Sequence, residues 1–341
     1  MKIEQYHISD ISPEQWNGFL EGAGSESPFC RHAWLRLIAE AYPGWKVGLL
    51  LAQKGGKLLA GLPYADSRTV LRRQSHCLAW GTPAGVILAP GEDSRAADTL
   101  IEYWTGRFRA LGLPSRLSIT FPDANPCGIE TLRRHSFSLF EQKSFTVRLR
   151  GRTFEQWEIS LRQAVKNKNR QALKRGGVFE RVDRPEVSAE IYRLARLTAE
   201  HHKRPGPNYS ERFYRLVLDP RGPLAEEPGL ARIYMVRVGG RPAAFNLCLV
   251  DSGRMWLCDH GADEETFQAR PNNLIYRSII ELAFREGMQA VDLGAVPEGA
   301  GSLESFKRNL GGEPYTRLSA VKVSPLFRLG ASLRGLFHRF R

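Results

Sequence analysis

Hydrophobic and polar positions follow two periods along this chain, and the clearest succession lies between Leu230 and Val323. Arg232–Val238 is an apolar-rich run. Gly239-Gly240 follows it as a hairpin turn. Pro242–Val250 and Arg254–Asp259 are two more strand-like runs, parted by Asp251-Ser252-Gly253. The period then changes to that of a helix. Over Asn272–Glu286, Leu274, Ile275, Ile279, Leu282 and Ala283 share one face, and Gly287 supplies a stop. Ala290–Val296 returns as a strand. Ser302–Gly312 is a short helix that sets Lys307 between Phe306 and Arg308, and a last strand follows.

The first part of the chain shows a similar order. A short strand and a helix started by Ser12-Pro13-Glu14 come first, then a helix with Trp34, Leu37, Ile38 and Ala41 on one face, closed by Pro43-Gly44. Lys46–Gln53 and Leu58–Tyr64 are strands joined by a KGGK turn. Ser75–Trp80 and Gly85–Leu88 are shorter strand-like pieces. Ser94–Leu111 is predicted as a helix with Leu100, Tyr103, Trp104, Phe108 and Leu111 inward. Gly112 stops it, and Arg116–Phe121 is the next strand. The order strand, Gly-Gly turn, strands, helix, glycine, strand therefore occurs twice, roughly 180 residues apart. That spacing is too long for a solenoid repeat. It predicts an α/β (α+β) protein of two related domains in tandem, 1–147 and 148–324, with a tail at 325–341.

The junction between the two copies is the most basic part of the chain: residues 148–184 hold eleven Arg or Lys against four acids. Phe154–Arg175 is predicted as one helix, with Trp157, Leu161, Val165 and Ala172 as its apolar stripe and Gly176-Gly177 at its end. Arg162, Lys166, Arg170 and Lys174 recur every four residues. Each such step advances about 40° around a helix and about 6 Å along it, which makes a slowly turning cationic stripe about 18 Å long. Few acids interrupt it, so the stripe repels itself unless a partner neutralises it. A phosphorylated ligand is one such partner, tRNA another, and a plain solvated face is the alternative. Further helices are predicted at Val187–His201 and Glu211–Leu218. His201 and His202 are adjacent, so they point about 100° apart on a helix and do not form a metal pair.

In the tail, Leu326, Leu329, Leu333, Leu336, Phe337 and Phe340 fall on one helical face. Arg328, Arg334, Arg339 and Arg341 lie mostly elsewhere. A basic amphipathic helix suits an anionic membrane surface, and a terminal helix packed on the second domain is the alternative.

Composition narrows the class. The 341 residues are 42% hydrophobic and 25% charged, as in globular chains. Net charge is +13, a bias toward polyanionic partners. Five scattered cysteines without a C-x-x-C pair favour neither a disulfide framework nor a zinc ribbon, and they fit a reducing cytoplasm. The N-terminal segment has no apolar signal-peptide core, and no run is long enough to span a bilayer. No G-x-S-x-G elbow, P-loop or G-x-G-x-x-G is present, so chemistry falls to isolated residues.

The segments YMVRVGGRPAAFNLCLV, MWLCDHGADEETFQARPNNLIYRSIIELAFREG, AVDLGAV and SFKRNLGG, in that order, resemble the FemAB-like branch of the GNAT acyltransferase superfamily. Upstream, SPFCRHAWLRLIAEAYPG and KNKNRQALKRGGVFERV are similar to the same group. The resemblance spans about residues 25–323. It implies two tandem GNAT-like domains, each a mixed, mostly antiparallel sheet flanked by helices. It also implies N-acyl or aminoacyl transfer from acyl-CoA or aminoacyl-tRNA, with no tightly bound cofactor and no metal, to an amine on a cell-envelope or polysaccharide-related acceptor, phosphorylated or lipid-linked. The site of action is then the cytoplasm or the inner membrane face. Two features differ from those relatives: the chain has no inserted coiled-coil arm and no R/Q-x-x-G-x-G/A pyrophosphate loop, so both donor classes stay open. A nucleic-acid-binding module and a non-catalytic membrane scaffold are the alternatives to an enzyme.

Amine acylation needs a neutral amine, a stabilised oxyanion and a proton for the leaving group. Lys307, beside Phe306, is the first candidate: its cation can hold a phosphate or the developing oxyanion, and the resemblance gives the family's FK pair that role. Asp292, mid-strand among apolar residues, is costly unless paired and can orient an amine or bond the loop at Gly294. Asp259 and His260, at a strand end, can supply a base or cap the loop. Asn272 and Asn273, after Pro271, can offer a helix N-terminus to a ligand or act as N-caps. Tyr209 and Arg212 resemble residues that flank the acceptor cleft in relatives.

Overall fold

The computed structural model describes residues 1–69, 72–78, 80, 82–109, 115–124 and 126–327. The chain forms two compact units, residues 1–142 with the strand from Thr316 onward, and Lys143–Tyr315.

The first unit opens with β1 (Lys2–His7), α1 (Pro13–Gly22), α2 (His32–Ala41), β2 (Trp45–Lys54), β3 (Lys57–Thr69) and β4 (Arg72–His76). It continues with β5 (Ile87–Leu88), α3 (Ser94–Arg109), β6 (Ser115–Thr120) and α4 (Ile129–Arg134). The side chain of Ser12 accepts the Gln15 N–H at 3.1 Å and Pro13 takes the first turn, so α1 starts where its cap chemistry dictates. Its Trp16 is fully buried and donates to the Cys30 carbonyl at 2.7 Å. A side chain at Gly61 on β3 would meet that indole at 2.7 Å, so the strand needs a glycine there. Leu100, Ile101 and Trp104 bury α3, whereas Tyr103, expected inward, is 40% exposed. The predicted end of that helix at Leu111 and its Gly112 stop lie outside the described residues.

The second unit comprises the end of β7 (Ser138–Arg148), α5 (Phe154–Ser160), α6 (Gln163–Lys174), β8 (Gly177–Val182), α7 (Ser188–His201), α8 (Glu211–Leu218), β9 (Ala231–Val238), β10 (Arg241–Asp251) and β11 (Arg254–Ala262). Then follow α9 (Pro271–Arg285), β12 (Ala290–Ala295), α10 (Gly301–Asn309) and the start of β13 (Glu313–Val323). Its strands lie in the order β7-β12-β11-β10-β9-β8. All neighbours run antiparallel except β11 and β12. In the first unit the order is β1-β2-β3-β4-β6-β13, antiparallel except between β4 and β6, with β5 against β3. Each unit is thus a mixed, mostly antiparallel sheet flanked by helices, and the tandem α/β architecture expected from the repeat is present.

The predicted succession from Leu230 onward is observed element by element. Gly239 and Gly240 both have positive φ (57° and 78°) and close β9 onto β10 with Val238 opposite Arg241. That backbone is the two-residue turn that matches strand twist, and only glycine adopts it without strain. One face of the sheet carries α9 and α6, over a core containing Tyr234, Val236, Cys248, Met255, Ile275 and Ile279. The other face carries α7 and, beside it, α8.

The basic segment departs from expectation. Phe154–Arg175 is two helices, because Leu161 and Arg162 adopt extended ψ values of 146° and 144°. Ser160 folds its hydroxyl back onto the Trp157 carbonyl at 2.6 Å, which ends α5. Leu161 stays buried through the break, so the apolar spacing survives while the backbone turns. Arg162 caps α6 from outside it and drops out of the stripe, which is reduced to Lys166, Arg170 and Lys174. Of the tail, only residues 325–327 are described, and the predicted amphipathic helix over 325–341 falls mostly outside the described residues. Among the described residues no helix is long and apolar enough to cross a membrane.

Candidate active site

Two features of the second unit's sheet create a site. First, β11 and β12 pair only from Arg254–Trp256 to Ala290–Asp292, although both strands continue. Beyond Trp256 and Asp292 no pairing holds them together. Second, the register of β11 on β10 slips between Leu257 and Asp259, leaving Cys258 as a bulge. A bulge frees one residue's backbone groups from the ladder and re-aims its neighbours.

Lys307 reaches this place from α10. It is 3% exposed, and its Nζ donates to the carbonyls of Gly294 at 3.0 Å and Ala295 at 2.9 Å. Gly294 has φ 79°, and a side chain on it would come within 3.8 Å of that ammonium and 3.6 Å of the Leu257 carbonyl on β11. The buried cation therefore sits between the diverging strands. Asp292 holds the same turn from the other side: its Oδ1 accepts the Gly294 N–H at 2.8 Å, and its Oδ2 accepts from the Tyr315 hydroxyl. Of the two roles open to Asp292, the bond to the loop at Gly294 is made. Phe306 packs edge-on against Tyr276 of α9, ring centres 5.1 Å apart, and fixes the face of α10 that turns inward. The same C-terminal end of α10 is tied by Trp157, whose Nε1 donates to the Leu310 carbonyl at 3.0 Å.

Asp259 and His260 do not act as a pair, because adjacent strand residues point to opposite faces. Asp259 lies opposite Leu247 and binds the α8 side: Tyr214 Oη donates to its Oδ2 and Asn208 Nδ2 to its Oδ1 at 3.3 Å. Burial raises its pKa to about 6, against the lowering effect of those donors. His260 lies opposite Asn246, whose other cross-strand neighbour, Tyr234, belongs to the α9-side core. His260 is exposed to solvent. The surrounding protein, followed by the charges of Lys307, Arg204 and His202, pushes its pKa down to about 4. The imidazole is therefore neutral at pH 7 and can accept a hydrogen bond.

Asn246 was not anticipated. It is 1% exposed, and neither its amide oxygen nor its nitrogen has a hydrogen-bond partner among the described residues. A buried amide with both groups unmatched is costly, and such groups mark sites where a ligand completes the network. The signal was present as the one amide within the apolar run AAFNLCLV.

The remaining expected residues are dispersed. Tyr209 is core: 2% exposed, stacked on Phe213 at 4.1 Å, with its hydroxyl 3.2 Å from Cys258 Sγ. It thus supports the bulge from beneath. Arg212 is exposed on the first turn of α8. Neither Asn272 nor Asn273 caps α9: Arg270, in the left-handed region at φ 55°, holds the cap position without a side-chain bond, and Pro271 follows it. Both asparagines lie within the first turn and are partly buried. Lys166, Arg170 and Lys174 lie on α6, which packs against α9.

A sheet whose parallel pair parts beside a bulged strand, with a helix following that strand, is the arrangement of the GNAT fold. Residues 160–315 match the family model described as an acetyltransferase (GNAT) domain, which bears out the expected likeness of the second unit to the GNAT superfamily. No curated protein matches the sequence. Among solved structures, the chain is similar to one described as the crystal structure of FemX. The two share 13% identity over 96% of this chain and 99% of that one, with a TM-score of 0.64. A tandem GNAT protein from the clavulanic acid biosynthesis pathway gives a TM-score of 0.61 at 14% identity, over 94% of this chain and 98% of that one. The C-terminal domain of a putative lysylphosphatidylglycerol synthetase from Agrobacterium fabrum gives 0.60 at 13% identity, over 94% of each. At these identities the likeness is one of fold.

Proposed function

We propose that this protein transfers an acyl or aminoacyl group from acyl-CoA or aminoacyl-tRNA to an amine on a cell-envelope or polysaccharide-related acceptor, at the point where β11 and β12 part. The observation that carries the proposal is the buried Lys307 ammonium on the Gly294 and Ala295 carbonyls. In such a reaction the amine lone pair attacks the donor carbonyl, a C–N bond forms, and the carbonyl oxygen gains negative charge. The C–S or C–O bond to the donor then breaks, and the leaving group takes a proton given up by the amine. A cation fixed before the substrate arrives stabilises that oxygen at no cost in reorganisation. His260, neutral above about pH 4, can accept a hydrogen bond from the attacking amine. Asn246 beside it can orient either substrate by hydrogen bonds from its amide. Asp292 acts through the Gly294 turn and is a positioning residue.

The names of two similar structures support the envelope side of this reading: FemX and a lysylphosphatidylglycerol synthetase. The match to a family model described as an acetyltransferase (GNAT) domain supports a thioester donor. Action at the cytoplasmic membrane face, with residues 325–341 as a reversible anchor, is supported by the tail's basic amphipathic pattern alone. The test is a mass-shift screen of the purified protein with acyl-CoAs or charged tRNAs and a panel of amine acceptors, run beside Lys307→Met. A product that gains one acyl or aminoacyl mass with the wild type, and is lost with the variant, is the expected result. Equal product from both proteins overturns the assignment of Lys307.

A further inference from the structure

We propose a second ligand site on α6 that takes a phosphate ester carrying an apolar group. A recess of about 330 Å³ lies between α5, α6 and α9, and Lys166, Asn169, Arg170 and Arg277 line it together with Glu158. Asn169 occupies an inward position of α6, four residues after buried Val165 and three before buried Ala172. It is 3% exposed, yet neither atom of its amide group has a partner among the described residues. An apolar residue would serve the core better there, because an unmatched buried amide costs stability.

Charge gives the sign of the ligand. Lys166 and Arg170 leave the recess cationic, because its third cation, Arg277, and its carboxylate are already paired: Arg277 Nε donates to Glu158 at 2.7 Å and its Nη1 to Glu281 at 2.8 Å. Lys166 is held over the Ile159 carbonyl at 3.4 Å, and Arg170 makes no hydrogen bond or ion pair with another described residue. A phosphoryl group matches this set. It accepts from Arg170, Lys166 and the Asn169 NH₂, and a protonated phosphate oxygen can donate to the amide oxygen. The apolar part follows from the rim, where Ile159 is 74% and Leu173 54% exposed. Two large aliphatic side chains left in water beside a cationic recess suit a ligand with a chain or ring next to its phosphate. A lipid headgroup and a soluble amphiphilic phosphate share that chemistry.

Binding is measured on the full chain with no acyl donor, so the outcome does not depend on the transfer reaction. Inorganic phosphate is titrated calorimetrically, and phosphatidylcholine vesicles with and without phosphatidic acid are sedimented with the protein. Asn169→Asp keeps the shape and adds a repelling charge; it is expected to weaken phosphate binding about tenfold or more, as loss of a charge-assisted bond does. Arg170→Glu, on the exposed face, gives the same result should the first variant fold poorly. Leu173→Gln is expected to reduce vesicle binding and leave inorganic phosphate unchanged. Binding of phosphate without vesicles supports the site with a soluble ester as its source. Affinity for both probes that is unchanged in Asn169→Asp and Arg170→Glu overturns it. Binding of an RNA hairpin with no response to either phosphate probe also overturns it.

Discussion

Lys307 and Asp292 grip the two ends of one glycine. The carboxylate accepts the Gly294 N–H at 2.8 Å, and the ammonium donates to the Gly294 carbonyl at 3.0 Å. Helix α10 is thereby fixed to the end of β12 through a residue whose φ of 79° no other amino acid adopts cheaply. The positive charge reaches the parting of the strands on a pre-set backbone, and this links the fold of the second unit to the proposed chemistry.

Replacing Lys307 by methionine keeps the length of the side chain and removes the charge. Two partly buried carbonyls lose their donor, at a cost of about 1–3 kcal/mol each at most, and less where water replaces it. The expected outcome is a folded protein with a lower melting temperature and a turnover rate reduced on the order of 10²–10³-fold, the scale of a lost oxyanion contact. Single-turnover acyl transfer checks the rate, and denaturant melts check the fold. Wild-type turnover in a destabilised Lys307→Met would assign the lysine to structure alone.

Because both side chains act on Gly294, their effects on stability do not add. In a double-mutant cycle of Lys307→Met and Asp292→Asn, the interaction energy is expected in the range of about 0.5–3 kcal/mol, as for residues within one hydrogen-bond network. Urea unfolding of the four proteins measures it. Asp292→Asn retains an acceptor for the Gly294 N–H, so its own effect on turnover is expected to be smaller than that of Lys307→Met.

Asp259 and His260 are adjacent in sequence and opposite in their response to acid. Asp259 has a folded pKa of about 6, above the ordinary 3.8. Between these values the folded state holds a proton that the unfolded state has lost, so the cost of its buried charge is fully present above pH 6 and is relieved as pH falls toward 4. His260 has a folded pKa of about 4, below the ordinary 6.5. In that window the unfolded state binds the proton, so stability is lost as pH falls from 6.5 to 4. The two contributions oppose each other in the wild type. Asp259→Asn is therefore expected to gain stability over the wild type by more at pH 7 than at pH 4, the difference being about 3 kcal/mol at most. His260→Gln is expected to gain on the wild type as pH falls. Chemical denaturation at pH 4, 5, 6 and 7 tests both signs.

The second unit was legible from Leu230 onward because its turns carry glycines at positive φ and its helix α9 has an unbroken apolar face. The break between α5 and α6 was not, since Trp157, Leu161 and Val165 keep helical spacing across it and the turn is made by one serine hydroxyl. Strand β7 was missed because its residues are mostly polar, and only Ser144, Phe145 and Val147 are buried. The position of Lys307 in the motif SFKRNLGG could be singled out from sequence, but its two carbonyl partners lie 12 and 13 residues away, across a turn. Asp259 and His260 were both candidates from their place at a strand end, and only the sheet gave each residue its own face.

Asn246 offers a test in which stability and activity move apart. Its amide is buried in β10 with no partner among the described residues, and His260 lies opposite it on β11. Leucine is close to it in size and has no polar group to satisfy. If the amide serves only the fold, Asn246→Leu changes little beyond a gain in stability. If it binds a substrate, the same change raises the melting temperature and lowers turnover. The expected outcome is the second: a gain of about 1–3 kcal/mol, the cost of an unmatched buried polar group, with a loss of turnover of about tenfold or more, the value of one hydrogen bond to substrate. Asn246→Asp separates the two effects further, because it keeps an acceptor and loses the donor. Thermal melts and acyl-transfer rates on the three proteins decide the matter, and a stabilised Asn246→Leu with full turnover removes Asn246 from the site.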